Sequence, residues 1–531
     1  MVQRFAAAAL AVGVFLSAYA AGAEIKTVAV TGGTVEGVAA DQVVSFKGIA
    51  FAAPPVGALR WKAPQPVVPW TGAKKADTYG ASCMQDATFA KLFESPAPIG
   101  EDCLYLNVWT PAKSPAQKLP VMVWIYGGGF VGGMTSIPAY DGTRLAQKGV
   151  VLVSVAYRLG VFGFLAHPDL TKETGKSSGN YGLRDMLAGL QWVKANIAKF
   201  GGDPSRVTIF GESAGGMAVS MLSASPAAKG LFHRAISESG GSFSPARVAG
   251  EAGETVASLK DAETAGKQFL AKLGANDIKA ARGLSADAIQ KALGPGLQGG
   301  FWPTFDGDVL LGDQYELYEA GKFNDTPILV GTNSDEGGTF VRGPVAPAQF
   351  ENEIRGGYGD RASVVLAAYP HGNDVQALKS SQDVMRDSTF AWSTWTWARL
   401  QSQKGQGKAY VYYFDFPTPQ TPNGSGHGAE IGFVFRTLGG RGQGPSGITG
   451  SVSPEQQAAA ELISSYWVNF ARTGDPNGAG LPQWPALTAQ NQQVMHLATR
   501  PGAMPVPNVD KLQALDKYFA RRREEHKKSA K

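Results

Sequence analysis

The sequence predicts an α/β fold, a large, mostly parallel central sheet flanked by helices, and three observations carry this. Short apolar runs at 120–126 (PVMVWIY), 150–157 (VVLVSVAY) and 206–210 (RVTIF) show no polar alternation, as expected of strands covered on both faces. Between the last two, Leu183, Met186, Leu187, Leu190 and Ile197 recur near a 3.6-residue period, which predicts a helix with one buried face. Further strand patterns at 327–333 (PILVGTN) and 409–416 (AYVYYFDF) follow Gly- and Pro-rich connections.

In chain order, residues 1–23 come first: Arg4, an apolar stretch from Phe5 to about Leu16, then small residues in A-x-A spacing. This is the pattern of a secretory signal peptide, cleaved after Ala20 or Ala23, with Ala23 favoured because the polar sequence starts directly after it, and it is expected to place the mature protein in the periplasm or outside the cell. The apolar run falls short of the roughly 20 residues that span a bilayer, and no later segment is long and apolar enough. Residues 24–531 are expected to form a single catalytic domain, because no repeat or linker divides them. With 44% hydrophobic and 18% charged residues, the chain has ample material for a core.

Two cysteines, Cys83 and Cys103, follow. Pairing them would close a loop worth about 3 kcal/mol in the chain-entropy reading, with two buried thiols as the alternative. Two are too few for a cysteine metal site.

After the strand at 120–126 comes WIYGGGFVGG, in which Gly127, Gly128 and Gly129 leave backbone N–H groups unobstructed. Neither a G-x-G-x-x-G before a helix nor a G-K-[ST] is present, so an oxyanion-binding loop is preferred to a phosphate loop. GESAGG then places Ser213 between a strand and a helix beginning at Ala214. In a chain with 67 glycines the bare G-x-S-x-G pattern carries little weight. The strand, tight turn and helix around it are what a nucleophile elbow needs, and the helix start aims N–H groups at the reaction centre.

A serine nucleophile needs a base, and the base an orienting acid. His526 sits in the charged tail, His167 and His233 lie before or soon after the elbow, and His496 is near the end. His427, in a Gly-rich loop after the strand at 409–416, fits the order serine, acid, histidine. PILVGTNSDEGG supplies both Asp335 and Glu336 beyond a strand, and the residues alone leave the choice open. The net charge of +5 is dispersed. In the one dense basic run, ARRREEHKKSAK, glutamates interrupt the cations, so a frayed, solvated helix end is expected there, with no nucleic-acid partner.

Taken together, these motifs resemble the type-B carboxylesterase family, the α/β-hydrolases that include cholinesterases, bile-salt lipases and bacterial para-nitrobenzyl esterases. FKGIAFAAPPVGALRW, GEDCLYLNVWTP, VWIYGGGF, VAYRLGVFGFL, GNYGLRDMLAGLQWVKANIAKFGGDPSRVTIFGESAGG and YWVNFARTGDPN follow the family pattern in order. The resemblance implies Ser213 as nucleophile, Glu336 as acid, His427 as base, and Gly128, Gly129 and Ala214 as oxyanion donors. It also implies a Cys83–Cys103 disulfide, structural ion pairs Arg60–Glu101 and Arg158–Asp185, and no metal or organic cofactor. Glu212 beside the nucleophile is the residue the family usually carries, with an expected role in tuning the site's charge.

The implied partner is a small-molecule ester. An intact serine, acid and histidine argue against a non-catalytic binding domain of the same fold, while amide, thioester and carbamate substrates would use the same groups. The loop between the cysteines lacks the tryptophan on which cholinesterases stack choline, so a quaternary ammonium loses its cation–π platform. GPGLQGG, upstream of FWPTFDGDVL, points to a roomier acyl side. Bacterial relatives of this kind act on aromatic, xenobiotic or polycarboxylate natural-product esters.

Overall fold

The computed structural model describes residues 24–246, 256–294, 300–417 and 423–529. The expected leader, 1–23, and most of GPGLQGG, 295–299, lie outside them. Eleven strands form the main sheet. They are β1 (Val38–Ala40), β2 (Val43–Ala50), β3 (Tyr105–Thr110), β4 (Leu119–Ile125), β5 (Val151–Val155), β6 (Gly202–Glu212), β7 (Arg234–Glu238), β8 (Ile328–Asn333), β9 (Ala409–Phe414), β10 (Gln493–Leu497) and β11 (Gly502–Pro505). Their order across the sheet is β1-β2-β3-β5-β4-β6-β7-β8-β9-β10-β11.

From β5 to β10 neighbours run parallel, and the pairings at both edges are antiparallel. The parallel part is where the sequence is continuously apolar. All five residues of β5 are buried, as are all but the first of β4, because helices cover both faces. Helix α1 (Tyr181–Asn196) follows the expected periodicity and buries Leu183, Met186, Leu187 and Leu190. Helix α2 (Ala214–Ala224) is buried on every side, which accounts for its lack of an amphipathic stripe.

Beyond β8 stand α3 (Glu336–Phe340), α4 (Asp374–Arg386) and α5 (Trp392–Lys404). Then come α6 (Pro454–Thr473), opened by a capping box between Ser453 and Gln456, and α7 (Val509–Ser529). No helix among the described residues is long and apolar enough to cross a membrane.

The disulfide joins Cys83 to Cys103. Both ion pairs implied by the resemblance form. Arg60 holds Glu101 through two nitrogens, each 2.6 Å from a carboxylate oxygen, and also donates to the Leu284 carbonyl at 2.9 Å. Arg158 binds Asp185 at 2.7 and 2.8 Å, with both side chains buried.

The C-terminal basic run departs from expectation at two positions. Arg521, Glu524, Glu525, Lys527 and Lys528 are exposed, as a solvated end requires, but α7 turns Arg522 and Arg523 inward, at 5% and 7% exposure. Arg523 donates to Asp313 at 2.9 Å and to the Phe243 carbonyl, and its guanidinium lies 4.1 Å from the Tyr315 ring. A run of like charges reads as solvated because each cation alone is costly to bury; here a facing carboxylate and carbonyl offset that cost. Replacing Arg523 by Met strands the Asp313 carboxylate, so the stability should fall by about 3 kcal/mol. A urea unfolding midpoint equal to that of the parent chain would return the tail to a solvated role.

Candidate active site

The site gathers at the carboxyl ends of β4, β6, β7, β8 and β9. At the end of β6 the chain reverses through Ser213, whose φ of 56° and ψ of −126° put a non-glycine residue in a sparsely populated region costing about 1–3 kcal/mol. Two contacts hold it there: Ser213 N–H donates to the Glu238 carbonyl at 2.8 Å, and the Met217 N–H donates to the Ser213 carbonyl at 2.8 Å. Only glycine fits at 215, where a Cβ would stand 2.0 Å from the Ile125 carbonyl oxygen of β4. Helix α2 can therefore start directly against the sheet with Ser213 at its head.

The glycine loop follows β4. Gly128 has φ of 111°, and a Cβ there would meet the Gly132 carbonyl oxygen at 2.4 Å. Among the described residues, the N–H groups of Gly128, Gly129 and Ala214 donate to no protein acceptor, which leaves them available to an external oxygen. Gln85, from the disulfide loop, braces this loop by bonding both polar groups of Gly133 at 3.0 and 2.9 Å and the Cys83 carbonyl at 3.0 Å. The disulfide loop lacks tryptophan, yet it lays Phe89 over Gly128 and Gly132.

Of the two candidate acids, the fold brings Glu336 to the histidine. Its Oε2 lies 2.5 Å from His427 Nδ1, while Oε1 accepts the Asn333 N–H at 2.7 Å and the Ser239 hydroxyl. Asp335 faces the other way, 3.9 Å from Lys379. The acid turn and histidine loop are tied together, since Ser334 Oγ accepts the Ser425 N–H at 2.8 Å and His427 N–H donates to Thr339 Oγ1 at 2.9 Å. Phe390 stacks on the imidazole at 4.6 Å, and Phe340, tilted 5.1 Å from the imidazole, packs beside Phe390 at 6.2 Å. No hydrogen bond joins Ser213 to His427 among the described residues. Instead, His427 Nε2 stands 3.1 Å from Glu212 Oε1 without hydrogen-bond alignment, so the nitrogen is not committed to a partner.

Sequence reasoning missed two further acids. Glu430, three residues after His427, accepts from Asn333 Nδ2 at 2.5 Å; Glu238 accepts from Trp467 Nε1 at 2.7 Å. Glu212, Glu238, Glu336 and Glu430 are all at least 95% buried. Burial pushes the carboxyls of Glu212, Glu238 and Glu430 above the ordinary carboxylate range, and neighbouring negative charges add to this. For His427 burial works downward, but the charges of Glu212 and Glu336 outweigh it and hold the imidazole above its usual value.

This geometry belongs to a known class of protein. The carboxylesterase family model matches residues 24–515, and the chain belongs to that family. It is a carboxylic ester hydrolase with the α/β-hydrolase fold. The chain is 36% identical to a fumonisin B1 esterase of Sphingopyxis macrogoltabida, over 87% of this chain and 84% of that protein. It is 35% identical to a human cocaine esterase, over 86% and 84%, and 34% identical to a para-nitrobenzyl esterase of Bacillus subtilis strain 168, over 88% and 93%. A solved para-nitrobenzyl (PNB) esterase structure superposes with a TM-score of 0.81 at 33% identity, covering 92% of this chain and 99% of that one.

The electrostatics give a signed expectation. A Glu212→Gln change removes an anion that favours the imidazolium, so neutral His427 should persist to lower pH. The acidic limb of the kcat/KM profile should move to lower pH; an unmoved limb, or one moved upward, would separate Glu212 from the histidine.

Proposed function

We propose that the protein hydrolyses carboxylic esters through an acyl-enzyme intermediate on Ser213, with His427 as general base and acid and Glu336 as the orienting carboxylate. The observation that carries this is Glu336 Oε2 at 2.5 Å from His427 Nδ1, at the mouth of a strained turn that presents Ser213. His427 takes the serine proton through Nε2 as Ser213 attacks the carbonyl. The N–H groups of Gly128, Gly129 and Ala214 then receive the developing oxyanion. The same nitrogen returns the proton to the leaving alcohol, and water repeats the sequence to free the acid and restore the serine. Glu336 holds the tautomer and stabilises the imidazolium without taking its proton.

For the substrate, the reading is a bulky uncharged or acidic ester, of the aromatic, xenobiotic or polycarboxylate natural-product kind, in preference to a choline ester. It is supported by a disulfide loop without a tryptophan and by relatives named for fumonisin B1, cocaine and para-nitrobenzyl esters. The chain acts outside the cytoplasm, secreted or periplasmic, a reading supported by the leader-like residues 1–23 and the disulfide.

Ser213→Ala should lower kcat for a short-chain ester by about 10⁴-fold or more with the fold intact by circular dichroism. Glu336→Gln should lower it by about 10³-fold, and Asp335→Asn by only a few-fold; the reverse ranking of the two acids would move the orienting role to Asp335. N-terminal sequencing of protein exported by a host that recognises the leader should begin at Glu24, and an unprocessed chain retained in the cytoplasm would overturn the assignment of location.

A further inference from the structure

Three side chains stand in a row across adjacent parallel strands: Ser334 one residue past β8, Asp415 one residue past β9, and His496 on β10. Asn333 pairs with Phe414 and Tyr413 with His496, which puts the three at matching heights. Backbone bonds extend both ladders by a step, from Ser334 N–H to the Phe414 carbonyl at 2.9 Å and from Asp415 N–H to the Leu497 carbonyl at 2.8 Å. His496 Nε2 lies 3.1 Å from Asp415 Oδ2, and the Ser334 hydroxyl donates to Asp415 Oδ1 at 2.6 Å. The residue types are those of a serine hydrolase, but the carboxylate sits in the middle. The imidazole therefore has no hold on the hydroxyl proton, and the row works as a brace.

What it braces is the approach of two segments that must meet for proton transfer. The histidine loop carries glycines at 424, 426 and 428, and its backbone is pinned by the acid turn. Ser425 N–H donates to Ser334 Oγ at 2.8 Å, the Ser425 carbonyl accepts Asp335 N–H at 2.9 Å, and the Gly426 carbonyl accepts Asn333 Nδ2 at 2.8 Å. The segments approach too closely for a side chain at 424, where a Cβ would stand 2.6 Å from Ser334 Oγ.

A serine hydroxyl rotates, and its lone pair faces Ser425 N–H only while its proton is directed elsewhere. Asp415 gives that direction through a charge-assisted bond. The Ser334 backbone is held as well, because Arg386 Nη1 donates to its carbonyl at 3.1 Å while Arg386 Nε is bound to Asp387 at 2.8 Å. Ser334 is thus fixed two residues before Glu336, and it fixes Ser425 two residues before His427. Among the described residues neither Asp415 nor His496 bonds to Glu336 or His427 themselves.

We propose that Asp415 is a positioning residue for ester hydrolysis: through the Ser334 hydroxyl it sets the spacing between the Glu336 turn and the His427 loop, with His496 as its outer anchor. This inference rests on the reading of Ser213, His427 and Glu336 given above. Misalignment of the base weakens proton transfer and leaves substrate binding intact, so the effect falls on kcat.

The test is steady-state hydrolysis of a short-chain para-nitrophenyl ester. Asp415→Leu and Ser334→Ala should each lower kcat about tenfold with KM within about twofold of the parent, and Gly424→Ala, which forces the segments apart, should do the same. Asp415→Asn keeps an acceptor for the Ser334 hydroxyl and should hold kcat within about threefold. Because both residues act through one contact, the Ser334→Ala, Asp415→Leu double variant should fall no further than the worse single one. The rate of fluorophosphonate labelling of Ser213 should decline in step with kcat. If Asp415→Leu lowers the urea unfolding midpoint, Ser334→Ala, which removes one oxygen atom, carries the test. An unchanged kcat in Ser334→Ala, a change confined to KM, losses that multiply in the double variant, or an Asp415→Asn enzyme as slow as Asp415→Leu would each overturn the proposal. A parent chain that hydrolyses no ester and takes no label on Ser213 would instead bring down the underlying function, a distinct result.

Discussion

Four carboxylates and one imidazole share a space from which water is largely excluded, and much of the architecture answers the electrostatic problem this creates. Glu336 is matched by the ring it touches and by two further donors from Ser239 and Asn333. Among the described residues, Glu212 Oε1 has no hydrogen-bond partner and stands 3.1 Å from His427 Nε2. Glu238 and Glu430 each receive one neutral donor and, among the described residues, keep a second oxygen without a partner. Burial and the neighbouring negative charges make it costly to ionise Glu212, Glu238 and Glu430 together, so some of these three retain protons in the range where free carboxylates would lose them. The imidazole sits in a field shaped by that shared proton inventory, and so does any charge that develops on it during reaction.

The sheet makes such crowding structurally affordable. Glu212 and Glu238 are register partners at the ends of adjacent parallel strands, and Glu336 stands just past the next strand. Parallel strands end together on one side, so side chains distant in sequence converge without any long loop having to place them. The same sheet holds the Ser213 turn, because the Glu238 carbonyl that caps the elbow belongs to the strand that also carries a buried acid.

The parts of this arrangement that were legible in the sequence are those that hydrophobic burial or steric need imposes. Strands β4, β5 and β6 announce themselves because both faces are covered, and α1 because only one of its faces is. Gly128 and Gly215 are required by backbone contacts that a Cβ would violate. The choice between Asp335 and Glu336 was not legible from the residues, since adjacent carboxylates on a turn differ only in the direction the fold later assigns them; the family resemblance supplied it. Glu238 and Glu430 escaped notice because an acid is normally a surface residue, and what buries these two comes from Trp467 and Asn333, far away in the chain. Arg522 and Arg523 were misread for the same reason: the partners that make them interior residues sit some two hundred positions or more upstream.

Gln85 has a mechanical meaning beyond its three hydrogen bonds. It spans from the carbonyl of a disulfide-linked cysteine to both backbone groups of Gly133, so the covalent crosslink and the glycine loop move as one body. Glycine-rich backbone is intrinsically slack, and a row of N–H donors works as a cradle only when its shape is fixed before the oxygen arrives. The sulfur bridge and the shape of the glycine loop are thus linked mechanically through one buried side chain.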